Sequence, residues 1–96
     1  MTQRFEWDEV KVAQNLRKHG VSFGDAASVF SDSLAYTFPD PDYSAGEYRM
    51  LTFGFSFAGR LLAVSHAERG RAIRIISARA ITLNAAIDRS PPHAIS

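Results

Sequence analysis

His66, Glu68 and Arg69 fall within four residues, bringing a titratable base, a carboxylate and a fixed cation to one place on the chain. These are the ingredients of acid–base chemistry on a phosphodiester: one group takes a proton, another returns it, and cations hold the charge building on the phosphoryl oxygens. They lie in residues 54–79, GFSFAGRLLAVSHAERGRAIRIISAR, where Arg60, Arg69, Arg71, Arg74 and Arg79 are set against the single acid Glu68. The formal net charge is only +1, so the remainder of the chain is acidic. A phosphate-bearing partner is what this asymmetry points to.

Each residue type carries a role and a competing one. Histidine has both protonation states accessible near neutrality, and at a strand end His66 is expected near solvent; the alternative is a hydrogen-bonded structural histidine. Glu68 can share the proton transfers, or it can form a solvated ion pair with Arg69. Arginine offers a planar fork of donors to phosphate oxygens. Arg74 interrupts the apolar run Ala72, Ile73, Ile75, Ile76 and needs a carboxylate or a phosphate there. With Arg79 it is the preferred phosphoryl clamp. The catalytic set is then His66, Glu68, Arg74 and Arg79. Arg60, Arg69, Arg71, Lys18 and His19 form a wider candidate set for phosphate contact, although turn solvation accounts for Arg60 and Arg71, and the helix dipole for Lys18 and His19.

Other chemistries find little support. There is no cysteine, the histidines at 19, 66 and 93 lack metal-ligand spacing, and no phosphate-cradling glycine motif occurs. No metal or cofactor is expected. No apolar run approaches the roughly 18 residues of a membrane span, so a cytoplasmic protein is expected.

The positioning elements follow from pattern. With 96 residues, 46% of them hydrophobic, the chain suits one domain, expected over residues 1–88 with a frayed tail at 89–96. Asp8 N-caps a first helix that ends in Arg17, Lys18 and His19 before Gly20, with Val10, Val12, Ala13 and Leu16 as its apolar side. Ser22 caps a second, to about Phe30. Residues 34–38 are β-prone, and Pro39, Asp40, Pro41 and Asp42 begin an exposed loop. Residues 48–57 alternate, and the side bearing Leu51, Phe53, Phe55 and Phe57 is expected to meet the helices. Strands at 60–67 and 71–79 follow, joined by a turn at Glu68-Arg69-Gly70; the register that sets whether His66 and Arg74 share a face stays open. A short helix is expected from 80 to 89. The fold class is α+β, two N-terminal helices on one face of an antiparallel meander with a short C-terminal helix.

FEWDEVKVAQNLRKHGVSFGDAASVF, the Asp-Pro-Asp loop and RLLAVSHAERGRAIRIISARAIT, in that order, closely resemble the BrnT-type toxins of bacterial toxin–antitoxin pairs over residues 5–82. The resemblance implies a RelE-like fold and a ribonuclease toxin that inhibits translation and growth by metal-independent RNA cleavage. It also implies neutralisation by a ribbon-helix-helix, BrnA-like antitoxin, with operator DNA reached only through the complex. Such toxins continue past the ISAR-like run into a basic helix, where this chain has LNAAIDRSPPHAIS. That departure leaves a second reading, a catalytically weak or inactive module binding RNA or antitoxin.

Overall fold

A computed structural model describes residues 3–40 and 48–82. Its elements are β1 (Arg4–Glu6), α1 (Glu9–His19), α2 (Phe23–Ser28) with a 3-10 turn at Val29–Ser31, β2 (Tyr36–Pro39), β3 (Met50–Phe55), β4 (Leu61–Arg69) and β5 (Ala72–Ala80). The C-terminal helix expected from 80 does not begin there, since Ala80 ends β5 and residues 81–82 are not helical; the rest of that segment, the tail and most of the acidic loop lie outside the described residues. Among those described, no helix is long and apolar enough to cross a membrane.

The five strands form one sheet in the order β1-β5-β4-β3-β2. Strands β2 to β5 make the expected antiparallel meander. β1 corrects the purely antiparallel expectation, because it pairs parallel to β5 with Phe5 beside Ile73. Three residues are too few to show a period of two, and the pairing spans nearly the whole domain.

Both helices begin at their side-chain caps, and α1 ends at its glycine. Asp8 accepts from the Val10 amide and Ser22 from that of Asp25, while Gly20 closes α1 in the left-handed region at φ 66°. The rotation of α1, however, differs from its apolar pattern. Val10 and Leu16 are more than half exposed, and Asn15 is the buried residue. Its amide donates to the Val21 and Ala78 carbonyls at 2.9 and 2.8 Å, and its oxygen accepts from the Ala78 N–H at 3.0 Å. β1 covers β5 only from Ala72 to Arg74, so Asn15 supplies the strand partner that Ala78 lacks. Three buried hydrogen bonds outweigh two apolar side chains in orienting the helix.

The core joins Val21, Phe23, Ala26 and Val29 to Leu62, Val64, Ile75 and Ala78, with Phe5, Val12 and Phe30 packed around it. Directly paired residues share a sheet face. Thr52 and Gly54 therefore belong to this helix-packed face, opposite Val64 and Leu62. The phenylalanines of β3 are on the other one, contrary to expectation. A Cβ at Gly54 would stand 2.9 Å from Val29 Cγ1 and 3.0 Å from Ala35 Cβ, so the 3-10 turn can approach β3 only over a glycine. Asp32 fastens that contact, its carboxylate accepting the Phe55 amide at 2.9 Å and the Leu34 amide at 3.0 Å. These bonds, that of Phe55 first, hold its pKa below the usual value.

Candidate functional site

The β4–β5 hairpin carries most of the residues read as functional. Its turn is Gly70-Arg71, two residues with Gly70 at φ 61°, while Glu68 and Arg69 belong to β4. A glycine in the first position of a two-residue hairpin supplies the positive φ that such turns need. The three-residue turn expected over 68–70 is thereby corrected.

A β-bulge then decides which side chains share a surface. Ser65 pairs with Ser77 but His66 pairs with Ile75, so Ile76 is an extra residue in β5. Arg74 and Arg79 are five residues apart, and in a regular strand they would face opposite ways. The bulge resets the alternation, so Ile75 and Ala78 both enter the core and both arginines point to the opposite face. Arg74 is opposite Ala67 and Arg79 opposite Ala63. Arg79 is exposed and Arg74 half-buried.

His66 is on the other side of the sheet. It is 5% exposed, which corrects the expectation of a near-solvent position. Its Nε2 lies 2.7 Å from Thr52 Oγ1, which in turn lies 2.6 Å from Thr37 Oγ1. The Phe30 ring stands edge-on at 4.8 Å. Nδ1 has no hydrogen-bond partner among the described residues, and an unpartnered acceptor costs less than an unpartnered N–H. The favoured tautomer therefore donates from Nε2 to Thr52. Burial pushes the pKa down to about 4, and the imidazole is neutral at physiological pH.

The remaining residues spread along the molecule. Glu68 is exposed on the same side as His66, near the hairpin end. Arg69 is exposed beside it on the outer side, about 20 Å along the strands from the level of Arg79. Arg71 is exposed in the turn, its carbonyl accepting from Gln3 Nε2 at 3.1 Å. Arg60 donates from Nη1 to the Gly20 carbonyl at 3.0 Å, joining the β3–β4 turn to the end of α1 where Lys18 and His19 are exposed. An open cleft of about 510 Å³ lies there, lined by Leu16, Asp25, Ser28, Phe57 and Arg60 among others. The structure thus brings Arg74 and Arg79 to one face, leaves His66 beneath the other, and sets Arg60, Lys18 and His19 apart from both.

Sequence reasoning missed Asn15, Thr52, Asp32 and an aromatic cluster on the outer face. There Tyr36, Phe38 and Phe53 are in ring contact at 5.6 and 5.4 Å. A phenylalanine in an alternating strand reads as core, and only the glycine between Phe53 and Phe55 hinted otherwise.

A mixed sheet packed with helices on one side and bearing arginines and aromatic rings on the other defines a small α+β protein with a basic sheet surface. Residues 7–84 match the family model of BrnT, the ribonuclease toxin of type II toxin–antitoxin systems, and the chain belongs to that family. The fold is similar to that of the Brucella abortus ribonuclease toxin BrnT, solved at 1.1 Å resolution. The TM-score is 0.65 at 30% identity, over 84% of this chain and 99% of that one. No curated protein sequence matches the chain.

Proposed function

We propose that this chain is an endoribonuclease toxin that cleaves RNA without a metal, slows translation and growth from the cytoplasm, and is neutralised by a ribbon-helix-helix antitoxin through which alone it reaches operator DNA. The observation that carries the proposal is the bulge at Ile76, which turns Arg74 and Arg79 onto one face. Two guanidinium forks on a shared surface suit a pentacoordinate phosphorane, whose charge grows as the 2′-oxygen attacks. Glu68, exposed at the hairpin end on the side of the sheet opposite the arginines, is the proposed proton acceptor only for a strand that wraps around that end. His66, buried and neutral, supports the sheet in this conformation. Among the described residues no three His, Asp or Glu gather as a metal-ligand set, and metal independence is tested with chelator below. The two-helix, meander frame is also consistent with a RelE-like fold to which β1 adds a parallel edge.

Single-turnover cleavage of a short RNA in chelator tests this reading. Wild type should cleave, and Arg74→Lys and Arg79→Lys should each slow cleavage by ~10²-fold or more with little change in affinity, because lysine keeps the charge and loses the fork. Abolition by chelator with rescue by a divalent ion would remove the mechanism. An acidic antitoxin segment is proposed to occlude the same arginines, with binding that weakens as salt rises; salt-insensitive binding would count against occlusion. The non-catalytic binding module is favoured by one observation, the burial of His66 on the side opposite the arginines. Wild type that binds RNA yet leaves it intact at enzyme excess would establish that reading instead.

A further inference from the structure

The outer sheet face holds a row of directly paired residues that runs across four strands. Tyr36 of β2 pairs with Phe53 of β3, Phe53 with Ala63 of β4, and Ala63 with Arg79 of β5. Paired side chains project together, so the row reads aromatic, aromatic, small, cationic. Tyr36 is 67% exposed, and Phe38 in the next row adds its ring at 5.4 Å from Phe53. Ala63, the small residue between the rings and Arg79, is 4% exposed. Two strand spacings put the Phe53 and Arg79 backbones about 10 Å apart.

An exposed tyrosine beside half-buried phenylalanines is a costly surface unless something covers it. The chemistry that fits has a flat π-face to stack on the rings and an anionic group to reach Arg79 beyond Ala63. A base-paired duplex hides the faces of its bases, whereas an unpaired strand offers a base face and a phosphate in each nucleotide. Resting on the ribonuclease reading above, and extending it to the substrate's conformation, we propose that the row Tyr36–Phe53–Ala63–Arg79 is a nucleotide subsite for single-stranded RNA. Bases stack on Tyr36 and Phe53, and a backbone phosphate is held by Arg79. Stacking tolerates any base, so the subsite selects unpaired RNA over duplex without selecting sequence. Phe53 and Tyr36 are then positioning residues, and Arg79 couples the subsite to the proposed clamp.

Binding of the full-length chain to a short 2′-O-methyl RNA, which lacks the attacking hydroxyl and is not cut, tests the subsite independently of cleavage. Single strand should bind more tightly than the same sequence in duplex. Phe53→Leu and Tyr36→Ser should each weaken single-strand binding by roughly 5- to 100-fold. Arg79→Gln should weaken it and reduce the slope of log affinity against log salt by about 0.7. Melting temperature is measured in parallel, and exposed Tyr36 gives a variant that folds even if Phe53→Leu does not. No binding by wild type, equal binding of duplex and single strand, or unchanged affinity in Tyr36→Ser would overturn the proposal. The same substitutions dissociating an antitoxin complex or a dimer, with RNA affinity intact, would reassign the face to a protein and equally overturn it. Intact natural RNA with the expected binding pattern would fail the ribonuclease reading alone; cleavage with unaltered Tyr36→Ser binding would fail the subsite alone.

Discussion

Between pH 7 and pH 5 an unfolded chain charges its histidines at the ordinary pKa near 6.5, while the folded chain holds His66 neutral to about 4. The unfolded state thus binds more protons throughout that window, and stability must fall as pH falls. The contribution is undiminished above about pH 6.5, declines through the interval, and is fully lost below about 4. Integrating over pH 7 to 5 gives a loss of about 2 kcal/mol, of a total near 3 kcal/mol. His66→Gln removes the titration while leaving an amide within reach of Thr52, so its stability should lack this slope. Urea unfolding at half-unit intervals measures it. At about 1–2 kcal/mol per molar, the wild-type midpoint should drop by roughly 1–2 M relative to the variant's own change. Staying above pH 5 keeps Asp32 out of the comparison, since its lowered pKa removes stability only at more acid pH. If wild type loses no more than His66→Gln, the imidazole is not buried as described and desolvation does not hold it neutral.

Asn15→Ala strips partners from the Ala78 N–H and from the Val21 and Ala78 carbonyls, and should cost about 2 kcal/mol or more, a fall in melting temperature of at least about 8 °C. Asn15→Asp, which keeps the acceptor but loses both donors, should be no better; thermal unfolding of either at wild-type temperature would refute the edge-partner role. Gly54→Ala drives a methyl against Val29, Ala35 and Asp32 and should destabilise by about 1–3 kcal/mol in urea. A gain in stability, as expected where alanine merely stiffens the unfolded chain, would refute the close approach.

Much of the fold was legible because local chemistry fixed it. Asp8, Ser22 and Gly20 mark the helix limits by hydrogen bonds made within a few residues, and the strands of the meander follow from alternation and intervening turns. What was not legible depends on partners distant in sequence. The rotation of α1 is set by Asn15 reaching 63 residues ahead to Ala78, and the outward turn of Phe53 is set by the 3-10 turn closing over Gly54. β1 gains its identity only from β5.

The candidate site shows the same division more sharply. Residue types named the chemistry, because five arginines in 26 residues suit phosphate wherever they point. Their direction rests on a single extra residue. Counting by twos from Ile75 puts Ser77 and Arg79 in the core and Ala78 outside, and nothing in IRIISAR forbids that count. Yet an arginine beneath the helices would need a partner there, while Ala78 fits beside Asn15 with both of its backbone groups bonded. Slipping the phase at Ile76 satisfies both demands at once. The bulge is therefore the cheapest way for this sequence to bury Ile75 and Ala78 together, and the shared face of Arg74 and Arg79 follows from the packing of the core beneath them.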